Sequence, residues 1–260
     1  MIDLAAQIQS EKTAQDKLTL FYLGQAGFVL KTAAGKIIYL DPYFSDACNR
    51  LFGFKRIFPS LIDADRVRAD LVLTTHDHGD HLDTDSIPAV AKNNPKCLFA
   101  GPVECQAAFR KLNVPEKNIL LLEPHKPVTP LPGEKFTVIP VPADHGDLAP
   151  NALGLVLEID GFRIYFPGDT AYREDLFRKA VGNKPLDILV PPINGKFGNL
   201  NAREAAQAVK FLNPKLAIPC HFWLFTQHNG DPGAFLDACK DLNVQSQTMV
   251  LAVGERICYP

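Results

Sequence analysis

Three histidines and two aspartates fall within six residues in His76-Asp77-His78-Gly79-Asp80-His81, directly after the apolar run Leu71-Val72-Leu73 and two threonines. Imidazole nitrogens and carboxylate oxygens are ligands that zinc, manganese and iron all accept, and a cation so held can activate water. His76 and His78 stand two apart, so in an extended or tightly turned segment both rings could face one cation. Asp80 and His81 follow where the chain turns, able to address a second cation nearby. No thiolate stands among these groups, which weakens a purely structural zinc reading. A polar loop with solvated histidines is the plain alternative, and the density of ligand types at the end of an apolar run counts against it.

The elements that must position these residues are short. Runs rich in β-branched and aromatic residues recur between turn signals at 18–30, 36–41, 71–75, 119–122, 136–141, 153–159, 162–166, 188–191 and 216–218, and they predict strands. Asp160-Gly161 between two of them is the pair a type I′ hairpin turn prefers, because both central residues need positive φ. Helices are predicted over 103–112, 172–181 and 202–212. The last has Asn201 and Glu204 at capping-box spacing and Pro214 as its stop. Asp231-Pro232 opens another helix, with Asp as cap and Pro at the first helical position. Strands first in hairpins and then interleaved with helices predict an α/β sandwich, its sheets covered by helices on their outer faces. Residues 1–260 read as one domain, with residues 1–17 as an N-terminal helical extension.

The chain has 260 residues, 47% of them hydrophobic, enough for a substantial core. Its formal charge of −2 comes with no basic stripe, which excludes a nucleic-acid partner. Six cysteines are scattered without a CxxC pair, so neither a zinc ribbon nor a redox motif is present and a reducing compartment suits them. The N-terminus lacks the basic start and apolar block of a signal peptide, and no later run reaches the ~18 apolar residues of a membrane span. Cytoplasmic residence without membrane contact is the expectation.

The segment His76-x-His78-x-Asp80-His81 after a hydrophobic strand resembles the metal-binding signature of the metallo-β-lactamase superfamily. That superfamily's remaining ligands have counterparts in order: His145 in Pro-Ala-Asp-His-Gly, Asp169 in Pro-Gly-Asp-Thr and His221 in Pro-Cys-His-Phe. The resemblance implies a four-layer αββα sandwich and two divalent metal ions, zinc or manganese, with iron a further option. It implies that His76, His78 and His145 hold one ion, that Asp80, His81 and His221 hold the other, and that Asp169 bridges them. Asp80 and Asp169 would be the catalytic carboxylates. Residues 22–28, 40–45 and the Asp80-His-Leu-Asp83 ending narrow the resemblance to the branch with L-ascorbate-6-phosphate lactonase. They are also similar to N-acyl phosphatidylethanolamine phospholipase D and to many other hydrolases. Gln25 departs from the histidine common at this place in those relatives. Asp41, after an apolar strand, is expected to orient a ligand histidine or, equally, to open an Asp-Pro turn.

The implied activity is hydrolysis of a small metabolite by metal-activated water, on a sugar-phosphate lactone or a phosphodiester. Asp77 is expected to hydrogen-bond within its loop. Asn194, Lys196, Tyr172, Trp223 and His228 are candidate substrate contacts, Lys196 for a phosphate and Trp223 for stacking. Residues 49–59 are unusually apolar for a loop and are read as core or as a contact between copies in a homo-oligomer before a lid. Two readings compete: a di-iron oxidoreductase on the same fold, whose relatives have a carboxylate in place of His78 and an added flavin domain, and a non-catalytic metal-binding protein, whose signature would be missing ligands.

Overall fold

A computed structural model of the chain describes residues 3–260. Six strands form the first sheet in chain order: β1 (Leu18–Gly24), β2 (Gly27–Lys31), β3 (Ile37–Leu40), β4 (Leu71–Leu73), β5 (Leu98–Gly101) and β6 (Ile119–Leu121). The second sheet runs from β7 (Phe136–Pro142) through β8 (Leu153–Ile159), β9 (Phe162–Phe166), β10 (Ile188–Leu189) and β11 (Leu216–Ala217) to β12 (Gln247–Thr248). The last strand, β13 (Arg256–Tyr259), returns to the first sheet and pairs antiparallel with β1. Strands β1 to β3 are antiparallel and β3 to β6 parallel; β7 to β9 are antiparallel and β9 to β12 parallel.

Both faces of the first sheet are covered, and the side-chain period of two sorts its residues between them. In β1, Leu18, Leu20 and Tyr22 face the core shared with the second sheet, while Phe21 and Leu23 face outward. In β3, Ile38 and Leu40 go inward and Ile37 and Tyr39 outward. The outer face is closed by α1 (Leu4–Ser10), α3 (Ile87–Asn93) and α4 (Val103–Lys111). Phe109 of α4 meets Phe99 of β5 edge-on at 5.6 Å, and truncating it to Ala would cost ~3–5 kcal/mol. Between the sheets Phe28 meets Phe166 at 5.6 Å. On the far side Tyr165 turns to Phe177 of α5 (Glu174–Val181), which packs beside α6 (Ala202–Leu212), itself beside α7 (Pro232–Asp241). The result is the expected order of helices, sheet, sheet, helices.

Local rules account for several of these elements. Asn201 and Glu204 form a complete capping box on α6, and Asp231 caps α7 with Pro232 as its first residue. Asp160 and Gly161 both have positive φ in the two-residue turn between β8 and β9. Other expectations need correction. The run 18–30 is two strands, parted by a turn at Gln25-Ala26. Strands β5, β12 and β13 and helices α2 (Ala47–Phe52) and α3 were not predicted; they are short, and β13 depends on a partner at the other end of the chain. The helical extension is the seven-residue α1 alone, and its Met1 and Ile2 lie outside the described residues. Leu4, Ala5 and Ile8 are buried in the outer core, and the buried ammonium of Lys31 donates to the carbonyls of Ile8 and Gln9 at the helix end. No helix among the described residues is long and apolar enough to cross a membrane.

Candidate metal centre

The site residues leave their strands at one edge of the two sheets. β1, β3 and β4 run in one direction, and Gln25, Asp41 and the segment His76 to His81 follow their ends. In the second sheet His145 follows β7, Asp169 follows β9 and His221 follows β11. The amide of His221 donates to the Gln25 carbonyl at 2.6 Å, joining the two edges. Gly168 shapes the approach of Asp169: its φ is +68°, and a Cβ there would lie 2.8 Å from the Leu153 carbonyl oxygen, so only glycine fits. Gln25, Asp41 and His221 also hold left-handed φ of 55°, 41° and 62°, a conformation that costs side-chain-bearing residues energy and that gathers at functional sites.

All histidines of the chain except His125 converge here. His76, His78 and His145 each offer a ring nitrogen within 4.8 Å of the others'. His76, His81 and Asp169 form a second such group, and Asp80, His221 and His228 a third. Asp169 reaches both sides: Oδ1 lies 3.3 Å from His81 Nε2 and 3.2 Å from His221 Nε2, and Oδ2 lies 3.8 Å from His145 Nε2. Asp80 Oδ2 is 3.5 Å from His221 Nε2 and 3.7 Å from His81 Nε2.

These separations suit a shared cation. Two atoms each about 2.1 Å from one tetrahedral ion lie about 3.4 Å apart. His81 Nε2, both ring nitrogens of His145 and Asp169 Oδ1 are sealed from solvent without a well-directed hydrogen bond. Buried polar atoms of this kind are rare and need a partner. The residues fit bound metal.

The ring orientations are fixed from behind. Asp41 Oδ2 accepts from His81 Nδ1 at 2.8 Å and from Thr75 Oγ1 at 2.7 Å, and Thr75 Oγ1 in turn stands 3.0 Å from His76 Nδ1. Held by hydrogen bonds at Nδ1, His81 and His76 both turn Nε2 into the site, where each would offer its lone pair to a cation in place of a proton. His78 does the reverse: Nε2 faces the Leu148 carbonyl at 3.1 Å, and Nδ1 lies 3.0 Å from His76 Nε2. Asn199 donates to Asp169 Oδ2 at 2.6 Å. The Gln25 amide nitrogen donates to Asp80 Oδ2 at 2.7 Å and stands 2.8 Å from His228 Nδ1. Flipping this amide would set its oxygen against the Asp80 carboxylate, so Nε2 is the atom that faces both, and His228 Nδ1 is the acceptor.

Charge follows the same layout. Burial holds the His76 ring well below the ordinary histidine range, helped by His81 beside it, and burial lowers His145 and takes His228 down to about 4. Burial also opposes charge on His81 and His221, yet Asp169 and Asp80 outweigh it and raise both rings, His221 to about 9. Against their own burial, Asp80 and Asp169 are held well below the carboxylate range by His81 and His221.

The centre opens into a cavity of about 390 Å³, lined by the polar Asp77, His78, Asp80, His145, Asp169 and His221 and by the apolar Phe52, Phe54, Leu148 and Phe197. Among the candidate substrate contacts, His228 borders this cavity, while Asn194, Lys196, Tyr172 and Trp223 do not. Asn194 is buried with its amide turned to the Lys196 carbonyl, Lys196 and Trp223 are exposed, and Tyr172 donates to Glu174. Asp77 is exposed, and its side chain makes no hydrogen bond among the described residues, contrary to the bond expected within its loop. Residues 49–59 divide: Phe54 and Phe58 pack on Tyr43, Leu224 and Phe225, whereas Leu51, Phe52 and Ile57 are exposed. Thr75 and Asn199 went unnoticed in the sequence, where a threonine ending a strand and an asparagine in a glycine-bounded loop give no sign of a distant carboxylate.

The family described as Beta-lactamase superfamily domain matches residues 19–221. A UPF0173 metal-dependent hydrolase of Polynucleobacter asymbioticus is 31% identical over 98% of this chain and 91% of its own length. Two solved structures share the fold at 21% identity. Igni18, a metallo hydrolase from Ignicoccus hospitalis, has a TM-score of 0.72 over 94% of this chain and 99% of its own. An isothiocyanate hydrolase from Delia radicum gut bacteria has a TM-score of 0.74 over 92% and 98%. A family match over most of the chain, a near full-length relative and the convergence of histidines and aspartates at one sheet edge agree, and the chain belongs to the β-lactamase superfamily as a member of its UPF0173 metal-dependent hydrolases.

Proposed function

We propose that this metal-dependent hydrolase works with two divalent cations on a small uncharged ester or lactone. The observation that carries the reading is the set of sealed, unpartnered nitrogen and oxygen atoms on His81, His145 and Asp169, which converge with spacings suited to shared ions. His76, His78 and His145 would hold one cation and Asp80, His81 and His221 the other, with Asp169 between them. Five imidazoles against two carboxylates favour zinc over manganese. Metal bound there would supply a hydroxide nucleophile at neutral pH and would draw charge from the carbonyl oxygen under attack.

The remaining work falls to the chain. Asp41 and Thr75 hold His81 and His76 in the ligand tautomer, Asn199 steadies Asp169, and Gln25 steadies Asp80. The hydroxide oxygen bonds to the acyl carbon, the carbon–oxygen ester bond breaks, and the proton left on the added oxygen passes by way of Asp80, which borders the cavity, to the departing oxygen. Of the bonds open from the sequence, the uncharged carbonyl suits the site better than a phosphodiester or a sugar-phosphate. None of the described residues bordering the cavity is Lys or Arg, and phosphate recognition normally recruits such donors.

The test is elemental analysis of the purified protein beside turnover of simple lactones, ethyl esters and bis(4-nitrophenyl) phosphate, with and without chelator. Near two equivalents of zinc with chelator-sensitive cleavage of lactone or ester is expected. Cleavage of the phosphodiester alone would overturn the carbonyl assignment, and loss of metal without loss of turnover would overturn the metal mechanism.

A further inference from the structure

Part of the cavity lining is apolar, and much of it is bare. Phe52 is 62% exposed, Leu148 56% and Phe197 45%, and with the half-buried Phe54 they border the same cavity as Asp80 and Asp169. Large apolar side chains in water are ordinary when scattered, but a contiguous group at the rim of a site marks a surface used for binding.

The wall is held in place. Phe54 meets Phe197 at 5.8 Å and Phe52 at 6.4 Å, so three rings form one continuous surface. Phe197 keeps a φ of +56°, a conformation rare for an aromatic residue, between Lys196 and Gly198. The segment carrying Phe52 and Phe54 is pinned from below. Asp83 accepts from the amides of Phe44 and Ser45 just before α2, and Arg56 donates to the carbonyls of Tyr43, Ser45 and Phe58. The Ile57 amide bonds the Leu224 carbonyl in the loop that follows His221. A wall tied at both ends to the loops bearing the metal ligands belongs to the site and keeps its shape.

We infer that the substrate carries an apolar acyl or aryl group, seated against Phe52, Phe54, Phe197 and Leu148 while its carbonyl faces the histidine and aspartate side. This rests on the hydrolase reading above and adds the substrate class to it. The cavity is at the small end of ligand sites, which span about 300–1,000 Å³. It suits a short chain or one ring, and the benefit of each added carbon should end once that volume is filled.

Two matched series test this on the whole 260-residue chain loaded with zinc. Ethyl esters from acetate to hexanoate are followed by acid release. The 2-alkanones, which present a carbonyl but no bond that water can cleave, are followed by calorimetric binding. In both series each methylene should improve kcat/KM or affinity about fourfold, corresponding to about 0.8 kcal/mol, through KM more than kcat. The binding heat capacity should become more negative with chain length. F52A and F197A should flatten this slope by tenfold or more between the ends of the series, and L236A, an exposed apolar residue of α7, should not. The readout is a ratio within one variant, so a loss of folded protein cancels.

Equal turnover along the esters, or flat binding along the ketones, overturns the inference and leaves the hydrolase standing. Ketone binding that rises with chain length while no ester is cleaved upholds the apolar seat and overturns the ester reading. Ketones that fail to bind, with a dimer dispersed by F52D or with adsorption to phosphatidylcholine vesicles abolished by it, overturn the inference in favour of another occupant of the wall.

Discussion

The carboxylate of Asp41 stands 2.8 Å from Nδ1 of His81 and also receives the Thr75 hydroxyl that meets His76. One buried side chain thereby sets the tautomer of both rings. Replacing it by Asn keeps the shape and tolerates the left-handed φ, but removes the charge and half of the acceptor capacity. Asp41→Asn should weaken zinc binding ~10–100-fold, the usual cost of losing such a partner. Competition against a fluorescent chelator measures it, and unchanged affinity would mean that both rings are oriented without Asp41.

Asp169 is the residue that faces all sides of the cluster, with one oxygen toward His81 and His221 and the other toward His145. An amide at this position offers a single acceptor. Asp169→Asn should therefore purify with one equivalent of metal where the parent has two, and lose turnover by ~10²-fold or more, on the scale of other electrostatic losses at a reacting centre. Retained turnover with full metal content would remove the bridging role.

Metal uptake should release protons. In the metal-free protein His221, raised to about 9 by Asp169 and Asp80 against its own burial, and His81, raised likewise, carry protons at neutral pH. Cation and proton then compete for the same lone pairs. Apparent zinc affinity should climb as pH rises from 6 and level off above about 9, and calorimetry in buffers of different ionisation heat should count the protons set free. The same shift bears on stability without metal. A histidine whose folded pKa exceeds its unfolded value near 6.5 stabilises most below that value, and the contribution is lost as pH rises through about 9. Metal-free protein should accordingly melt at a lower temperature at pH 9.5 than at pH 7, and the reverse order would contradict the assignment of those protons.

Asp83 is fully buried and accepts four short hydrogen bonds: from the amides of Phe44 and Ser45, at 2.8 and 2.9 Å, and from the hydroxyls of Ser45 and Ser86, at 2.5 and 2.6 Å. In Asp83→Asn one end of the side chain becomes a donor facing donors. The expected loss is about 3 kcal/mol of folding stability, the cost of stranding buried polar groups around a charged acceptor. Urea unfolding measures it, and a change below about 0.5 kcal/mol would show that Ser45 and Ser86 find other partners.

Much of the candidate site could be read from the chain because histidines and aspartates that follow strand ends leave a local mark. His76, His78, Asp80 and His81 sit within six residues because one strand end delivers all of them, and His145, Asp169 and His221 each follow an apolar strand. The cap of α6 and the Asp160-Gly161 turn were legible for the same reason: each is a contact among residues no more than a few positions apart. Contacts between distant loops left no such mark. Gln25 and His228 meet over 203 positions, and Asn199 reaches Asp169 over 30. The first is set by the packing of one sheet on the other and the second by two neighbouring loops of the second sheet, and no spacing along the chain encodes either. A two-residue strand such as β12 is too short to show a period, and Phe197 reads as one more aromatic until the fold sets it against Phe54.

The left-handed backbone at Gln25, Asp41 and His221 has a consequence for anyone who would engineer this protein. Each is a place where glycine would relax the main chain, so a search for thermostable variants guided by backbone strain would be drawn to these three positions. There the relaxed protein would lose the amide that steadies Asp80, the carboxylate behind His81 or a ring of the metal cluster. Strain and function coincide at this sheet edge, and stabilising changes should be sought instead on the outer helices, away from the turns that carry the site.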